Sequence, residues 1–96
     1  MQTFSFDTNK LIEICRQNDV SKLGVFGSMA RGESTPNSDI DLLVEFSQRK
    51  SLLSLVRLER ELSTALARKV ELLTEPAISP YLIDRVKNEL KVIYEN

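Results

Sequence analysis

The sequence predicts an α/β (α+β) domain in which a three-stranded mixed sheet packs against about four helices. Two observations support this fold class. Short apolar segments typical of strands are separated by longer segments whose apolar residues recur at helical spacing. Their order is helix, strand, one helical turn, strand, helix, strand, helix, which is typical of a sheet covered by helices. With no internal repeat or linker, we predict a single domain over residues 1–96.

The first predicted elements are a helix and a short strand. Between about residues 8 and 19, three apolar residues repeat at helical spacing: Leu11, Ile14 and Cys15. Asp7 or Thr8 is placed to cap this helix. Residues 22–26 form a short apolar run that ends at Gly27, which predicts a strand.

The clearest predicted strand covers residues 39–46. Side chains alternate between the two faces of a strand, so each face can be written down from the sequence. One face is wholly apolar: Ile40, Leu42, Val44 and Phe46. The other face carries Asp39, Asp41, Leu43 and Glu45. This division predicts a strand that is buried on one face and carries chemistry on the other.

The second half of the chain predicts a helix, a strand and a final helix. Residues 51–67 have an amphipathic pattern with this apolar stripe: Leu52, Leu55, Val56, Leu62 and Leu66. Residues 70–74 form the third strand. Ser79 and Pro80 supply a cap and a proline at the first helical position of the last helix. Its predicted apolar stripe is Ile83, Val86, Leu90 and Ile93.

The composition excludes several classes of function. The chain has no histidine and a single cysteine, Cys15, which excludes histidine-based catalysis, an internal disulfide and a cysteine-rich zinc site. A formal charge of −1 gives no reason to expect direct nucleic-acid binding. The N-terminus lacks the pattern of a signal peptide, and no apolar run is long enough to cross a bilayer. We therefore expect a cytoplasmic protein with no membrane association.

Asp39 and Asp41 are the first candidate for chemistry. Two residues apart on one strand face, they lie about 6.8 Å apart at the backbone, and side-chain lean can bring their oxygens onto one divalent ion. Mg²⁺ suits such a site because it takes one or two carboxylates together with substrate phosphates and water. The alternative is an edge strand with two solvated aspartates, although aspartate is depleted in strands.

A glycine-serine pair supplies the second candidate. Gly27 allows close backbone approach, and the N–H groups that open the helical turn at Ser28 attract phosphate. Arg31 adds a forked cation suited to phosphate. The alternative is an ordinary turn with a capping serine. We expect Gly32 to end the turn at positive φ, and Glu33 to pair with Arg31 or to be solvated.

Single residues exclude two other motifs, a P-loop and an EF-hand. The glycine spacing is that of a P-loop, but Glu33 takes the place of the essential lysine. The segment from Asn37 begins like an EF-hand, but Leu42 and Gln48 replace the required glycine and glutamate.

The remaining pattern resembles a known family. Gly27-Ser28, ten residues and then Asp39-x-Asp41 is similar to the signature of the polymerase-β-like nucleotidyltransferase superfamily. The whole segment 24–46 resembles its minimal nucleotidyltransferase (MNT) branch, which implies the nucleotidyltransferase fold. The resemblance implies that the aspartates hold Mg²⁺ on the triphosphate of ATP, while the glycine and serine contact the β- and γ-phosphates. An acceptor hydroxyl then attacks the α-phosphorus and pyrophosphate leaves.

The family's third acid is normally an aspartate on the next strand, and this sequence has Glu71 there. Val70 and Leu72 are expected to face the core, so Glu71 points away from it. Its extra methylene moves the carboxylate outward by roughly an ångström, a displacement that can cost ~10²-fold in rate. Glu71 is therefore a candidate metal ligand or base, or else a solvated strand residue.

The MNT branch resembles the antitoxin half of toxin–antitoxin pairs whose partner is an α-helical HEPN-type ribonuclease. That resemblance implies transfer of AMP from ATP to a tyrosine hydroxyl of the toxin, in a homo- or hetero-oligomer. Two alternatives stay open. A degenerate transferase could neutralise its partner by occlusion, or a homodimer could build a pocket for a small-molecule acceptor.

Overall fold

The computed structural model describes residues 6–33, 35 and 37–96, which form a four-stranded sheet with helices on both faces. The strands are β1 (Val20–Phe26), β2 (Ile40–Phe46), β3 (Val70–Leu73) and β4 (Lys91–Glu95). The helices are α1 (Thr8–Gln17), α2 (Ser28–Arg31), α3 (Leu52–Leu66) and α4 (Ile83–Glu89). A short 3₁₀ turn covers Glu75–Ala77. In the described part of the chain, no helix is long and apolar enough to span a bilayer.

The sheet is mixed, with the order β3-β2-β1-β4. β1 runs antiparallel to both of its neighbours, and β2 runs parallel to β3. The parallel pair needs a long connection, which α3 supplies. The predicted fold class is therefore confirmed, but the predicted number of strands, three, is wrong.

The fourth strand replaces the end of the predicted last helix. α4 ends at Glu89, and the next residues pair with β1 instead of continuing the helix to Ile93. Val92, Ile93 and Tyr94 are β-branched or aromatic residues that favour strands. Because β1 would otherwise present an unpaired edge, sheet pairing outweighs helical periodicity here.

The start of α4 also differs from the prediction. Ser79 and Pro80 lie in a turn before the helix, in which the N–H groups of Leu82 and Ile83 donate to the carbonyl oxygen of Ser79 at 2.9 and 3.1 Å. The regular helix begins only at Ile83. The serine and proline thus start a turn, as their chemistry favours, three residues ahead of the helix itself.

The N-terminal helix follows the sequence closely. The Asp7 side chain caps α1 by accepting from the backbone N–H groups of Asn9 and Lys10 at 3.0 and 3.3 Å. Its three predicted apolar residues are all buried. The helix ends two residues earlier than expected because Asp19 adopts positive φ, which turns the chain into β1.

α3 buries a face that was only partly predicted. Its buried residues are Leu58, Leu62 and Leu66. Leu52 and Val56 belonged to the predicted stripe, but they are 76% and 40% exposed. The row of side chains through Leu52 and Val56 continues into Glu59 and Arg60, so it cannot line a core along the whole helix.

One face of the sheet holds the core and the other holds polar groups. α1 and α3 pack on the face that presents Ile40, Leu42 and Val44, all almost fully buried. The opposite face presents Asp41, Leu43 and Glu45, and it is partly covered by α4 and its following residue, Leu90. The predicted alternation is thus confirmed for β2 itself, residues 40–46.

Gly24 has no side chain, which leaves room for Leu90 to pack on this face of the sheet. A Cβ at Gly24 would lie 2.6 Å from Cδ1 of Leu90. We expect Gly24→Ala to lower the free energy of unfolding by about 1–3 kcal/mol through overpacking, measured by urea denaturation. Leu90→Ala should restore part of that loss in the Gly24→Ala background. Strictly additive effects of the two substitutions would show that this contact is not the cause.

Candidate active site

The register of the sheet brings the predicted acids and the glycine turn to one place. Asp41 of β2 lies directly opposite Glu71 of β3 on one side and Phe26 of β1 on the other. Gly27 follows Phe26, so the turn begins beside Asp41. An added Cβ at Gly27 would overlap Oδ2 of Asp41. The backbone of the turn therefore lies directly against this carboxylate.

Asp39, which was predicted to be the first residue of the strand, lies just before β2 instead of inside it. The strand starts when the N–H of Ile40 donates to the carbonyl oxygen of Lys69 at 2.9 Å. Lys69 Nζ then lies 3.8 Å from Asp39 Oδ2 and 4.0 Å from Glu71 Oε1. One lysine therefore faces two acids of the site, a feature that the sequence analysis missed.

The site disfavours the ionised form of Asp41. Burial raises the pKa of Asp41 to about 6, with further contributions from a hydrogen bond and the negative charge of Glu71 and from the charge of Asp39. The positive charge of Arg31 opposes this rise. The carboxylates of Asp41 and Glu71 are therefore close enough to share a proton, and Asp39 and Arg31 lie within electrostatic range.

This donor set fits a hard divalent cation. Three carboxylates supply the oxygen ligands that Mg²⁺ prefers, and a cation would relieve their mutual repulsion. Among the residues that the structure describes, no three acidic, histidine or cysteine side chains are already gathered into a metal-binding arrangement. The Asp41–Glu71 pair is the part of the set that is assembled.

The glycine-serine turn has a backbone that only glycine adopts readily. Gly27 has φ 73° and ψ −149°, and α2 begins at Ser28. α2 makes a single turn, closed by a bond of 3.1 Å from the N–H of Arg31 to the carbonyl oxygen of Gly27. Gly32 ends it at φ 73°, as predicted. Both glycines thus hold the half-buried Ser28 at the end of β1, beside the acids.

Arg31 lies at this turn and is engaged by two carboxylates. Its Nε donates to Glu33 Oε1 at 2.5 Å, and its Nη1 lies 3.1 Å from both carboxylate oxygens of Glu89. The predicted pairing of Glu33 with Arg31 is therefore present. These carboxylates raise the pKa of Arg31. Glu89 could not be identified as a site residue from the sequence, because only the fold brings the end of α4 to this turn.

The two glycines of the turn provide a matched pair of tests. We expect Gly27→Ala to lower the free energy of unfolding by about 2–4 kcal/mol, since it combines backbone strain with overlap onto Asp41. Gly32→Ala should cost about 1 kcal/mol, because a Cβ there meets nothing within 4 Å and only the left-handed backbone is strained. Equal losses in urea denaturation would contradict the close packing of Gly27 on Asp41.

Most of the chain is similar in sequence to several curated proteins. The chain is 49% identical over 80 residues to a candidate protein adenylyltransferase of Methanocaldococcus jannaschii, covering 83% of this chain and 86% of that protein. It is 35% identical over 78 residues to the protein adenylyltransferase MntA of Thermococcus cleftensis, covering 81% and 79% of the two chains.

Solved structures agree with the sequence relatives. A crystal structure of a toxin–antitoxin with AMP-PNP superposes with a TM-score of 0.81 at 27% identity, covering 94% of this chain and 74% of the other. The structure of a candidate minimal nucleotidyltransferase gives a TM-score of 0.76 at 33% identity, covering 88% and 86%. The sequence also matches the family described as Nucleotidyltransferase domain over residues 8–93. These matches show that the chain belongs to the nucleotidyltransferase domain family, in its minimal branch.

Proposed function

We propose that this protein is a Mg²⁺-dependent protein adenylyltransferase that moves AMP from ATP to a tyrosine hydroxyl of a partner HEPN-type toxin and so acts as an antitoxin. The observation that carries the proposal is the juxtaposition of Gly27 with Asp41, which itself pairs with Glu71 across the β2–β3 ladder. Phosphate-binding backbone and metal-binding carboxylates thus share one site. The names of the sequence relatives and the toxin–antitoxin neighbour support the nucleotide, the acceptor class and the partner.

The residues of the site have separate tasks in this reaction. The backbone N–H groups at the start of α2 and the Ser28 hydroxyl hold the β- and γ-phosphates, with Arg31 as a neighbouring cation. Asp39, Asp41 and Glu71 would hold Mg²⁺, which supplies positive charge to the triphosphate when bound. The bond from the α-phosphorus to the leaving oxygen breaks as the bond to the tyrosine oxygen forms. Pyrophosphate leaves, and the phenolic proton passes to a carboxylate of the site or to water.

Glu71 is exposed enough to meet an acceptor. Its side chain is 50% exposed, whereas Asp41 is more enclosed between β1 and β3. Glu71 therefore lies on the open side of the pair, where it can bind the metal or accept the proton of an incoming hydroxyl. The longer side chain at this place reaches further toward that open side than aspartate would.

A second candidate function is neutralisation of the partner by occlusion without transfer. Two features of the acids favour it. The described residues contain no preassembled set of three metal ligands, and the acid on β3 is a glutamate where the family has an aspartate. In that case, the nucleotidyltransferase fold would serve only as a binding surface.

Labelled ATP distinguishes the two candidates. With the protein, its co-purifying partner and Mg²⁺, we expect label from the α-phosphate of ATP to stay on the partner and label from the γ-phosphate to be released. Asp39→Asn combined with Asp41→Asn should lower transfer by about 10²-fold or more, because it removes charge at the metal site. No retained α-label with the partner still inhibited would instead support occlusion.

The control for that variant removes two equal charges elsewhere. Asp7→Asn combined with Asp84→Asn changes an α1 cap, which asparagine also fills well, and an exposed residue of α4. We expect transfer by this control to equal that of the unmodified protein. Label retained from the γ-phosphate would indicate kinase chemistry and contradict the proposal.

Glu71 can be tested through charge and length separately. We expect Glu71→Gln, which removes the charge, to lower transfer by about 10²-fold, and Glu71→Asp, which keeps the charge on a shorter side chain, to change transfer by less than Glu71→Gln does. Glu45→Gln is the control, since Glu45 is an exposed acid on the same strand face as Asp41. Steady-state transfer rates provide the measurement. Unchanged rates for Glu71→Gln would show that Glu71 is only a solvated residue.

A further inference from the structure

Glu89 makes the same kinds of contact that a nucleotide phosphate needs in this site. Its two oxygens both lie 3.1 Å from Nη1 of Arg31, and the backbone of Gly27 lies near enough to lower the pKa of this carboxylate. Arg31 and Gly27 are two of the groups that the proposed function assigns to phosphate. A carboxylate therefore already occupies an anion position at the turn.

The position of Glu89 in α4 is unfavourable apart from these contacts. It is the last residue of the helix, where the dipole disfavours negative charge, and its side chain is only 18% exposed. Burial acts to raise the pKa of Glu89, but Arg31, Gly27 and Arg85 more than offset it, so the pKa is lowered. Glu89 is thus held as a carboxylate by the site and not by its own helix.

From this geometry we propose that Glu89 and a nucleotide triphosphate compete for Arg31 and the Gly27 turn, so that Glu89 sets the affinity of the site for nucleotide. The inference rests on the proposed function. Arg31 Nη1 cannot keep both carboxylate contacts and also donate along the same direction to a phosphate oxygen. A phosphate oxygen that binds at this Nη1 position displaces the Glu89 side chain, and part of the binding free energy offsets that loss.

Equilibrium binding tests the competition without relying on transfer. The probe is AMP-PNP with Mg²⁺, titrated into the full chain by calorimetry. We expect Glu89→Gln to lower Kd by about threefold to tenfold, in line with the loss of one partly exposed ion pair. Glu89→Asp keeps the charge on a shorter side chain, so its Kd should lie between those of Glu89→Gln and the unmodified chain. Glu89→Gln binding equally or more weakly would overturn the competition, because a residue that only positions Arg31 gives weaker binding when removed.

The control is a second carboxylate that pairs with α4 away from the turn. Glu75 Oε1 lies 2.8 Å from Lys87 Nζ, and Glu75→Gln should leave Kd unchanged. A matching decrease in Kd for Glu75→Gln would also overturn the proposal, since it would trace the effect to a loosened α4. If Glu89→Gln is too unstable for calorimetry, the comparison of Glu89→Asp with the unmodified chain decides, and an unchanged Kd there counts against competition.

The outcomes separate this inference from the proposed function. Binding of AMP-PNP with equal Kd in all variants overturns only the competition and leaves nucleotide transfer intact. No binding by the unmodified chain but measurable binding by Glu89→Gln supports the competition strongly. No binding by either protein overturns both the competition and the proposed function.

Discussion

The site depends on one structural constraint, which is the register of β2 between its two neighbours. Antiparallel pairing with β1 sets Asp41 opposite Phe26, so the chain turns at Gly27 directly beside the carboxylate. Parallel pairing with β3 sets Asp41 opposite Glu71. A shift of β2 by one residue against both neighbours would move Asp41 to the core face and break both relations at once. The buried row through Ile40, Leu42 and Val44 prevents such a slip, because it would have to expose that row to water.

Much of this arrangement could be predicted because it depends on local sequence patterns. The alternation in residues 39–46 gave the faces of β2, and the cap at Asp7 gave the start of α1. The parity of Val70 and Leu72 also predicted that Glu71 points away from the core, as its exposure shows. Each of these depends on neighbours within a few residues, where backbone geometry fixes the direction of a side chain.

The parts that sequence patterns missed depend on contacts between distant segments. β4 forms because β1 has an unpaired edge, and the apolar pattern of the last residues gives no indication of that edge. The burial of Leu58 in place of Leu52 depends on where α3 meets the sheet and α1. The contacts of Lys69 and Glu89 with the site join residues that are remote in the chain, so even a correct list of elements could not have supplied them. The catalytic roles of the acids remain predictions from the motif.

The same crowding that identifies the site also weakens the fold around it. Asp41 is kept partly buried and close to Glu71 and Asp39, and its pKa is raised first by that burial and then by the charges of the two neighbouring acids. Gly27 adds a backbone conformation that few residues tolerate, and Arg31 is divided between two carboxylates. A cation among the acids would relieve their mutual repulsion, and the triphosphate that it carries would meet the backbone N–H groups at the turn, which is the physical reason to expect that metal and triphosphate bind as a unit.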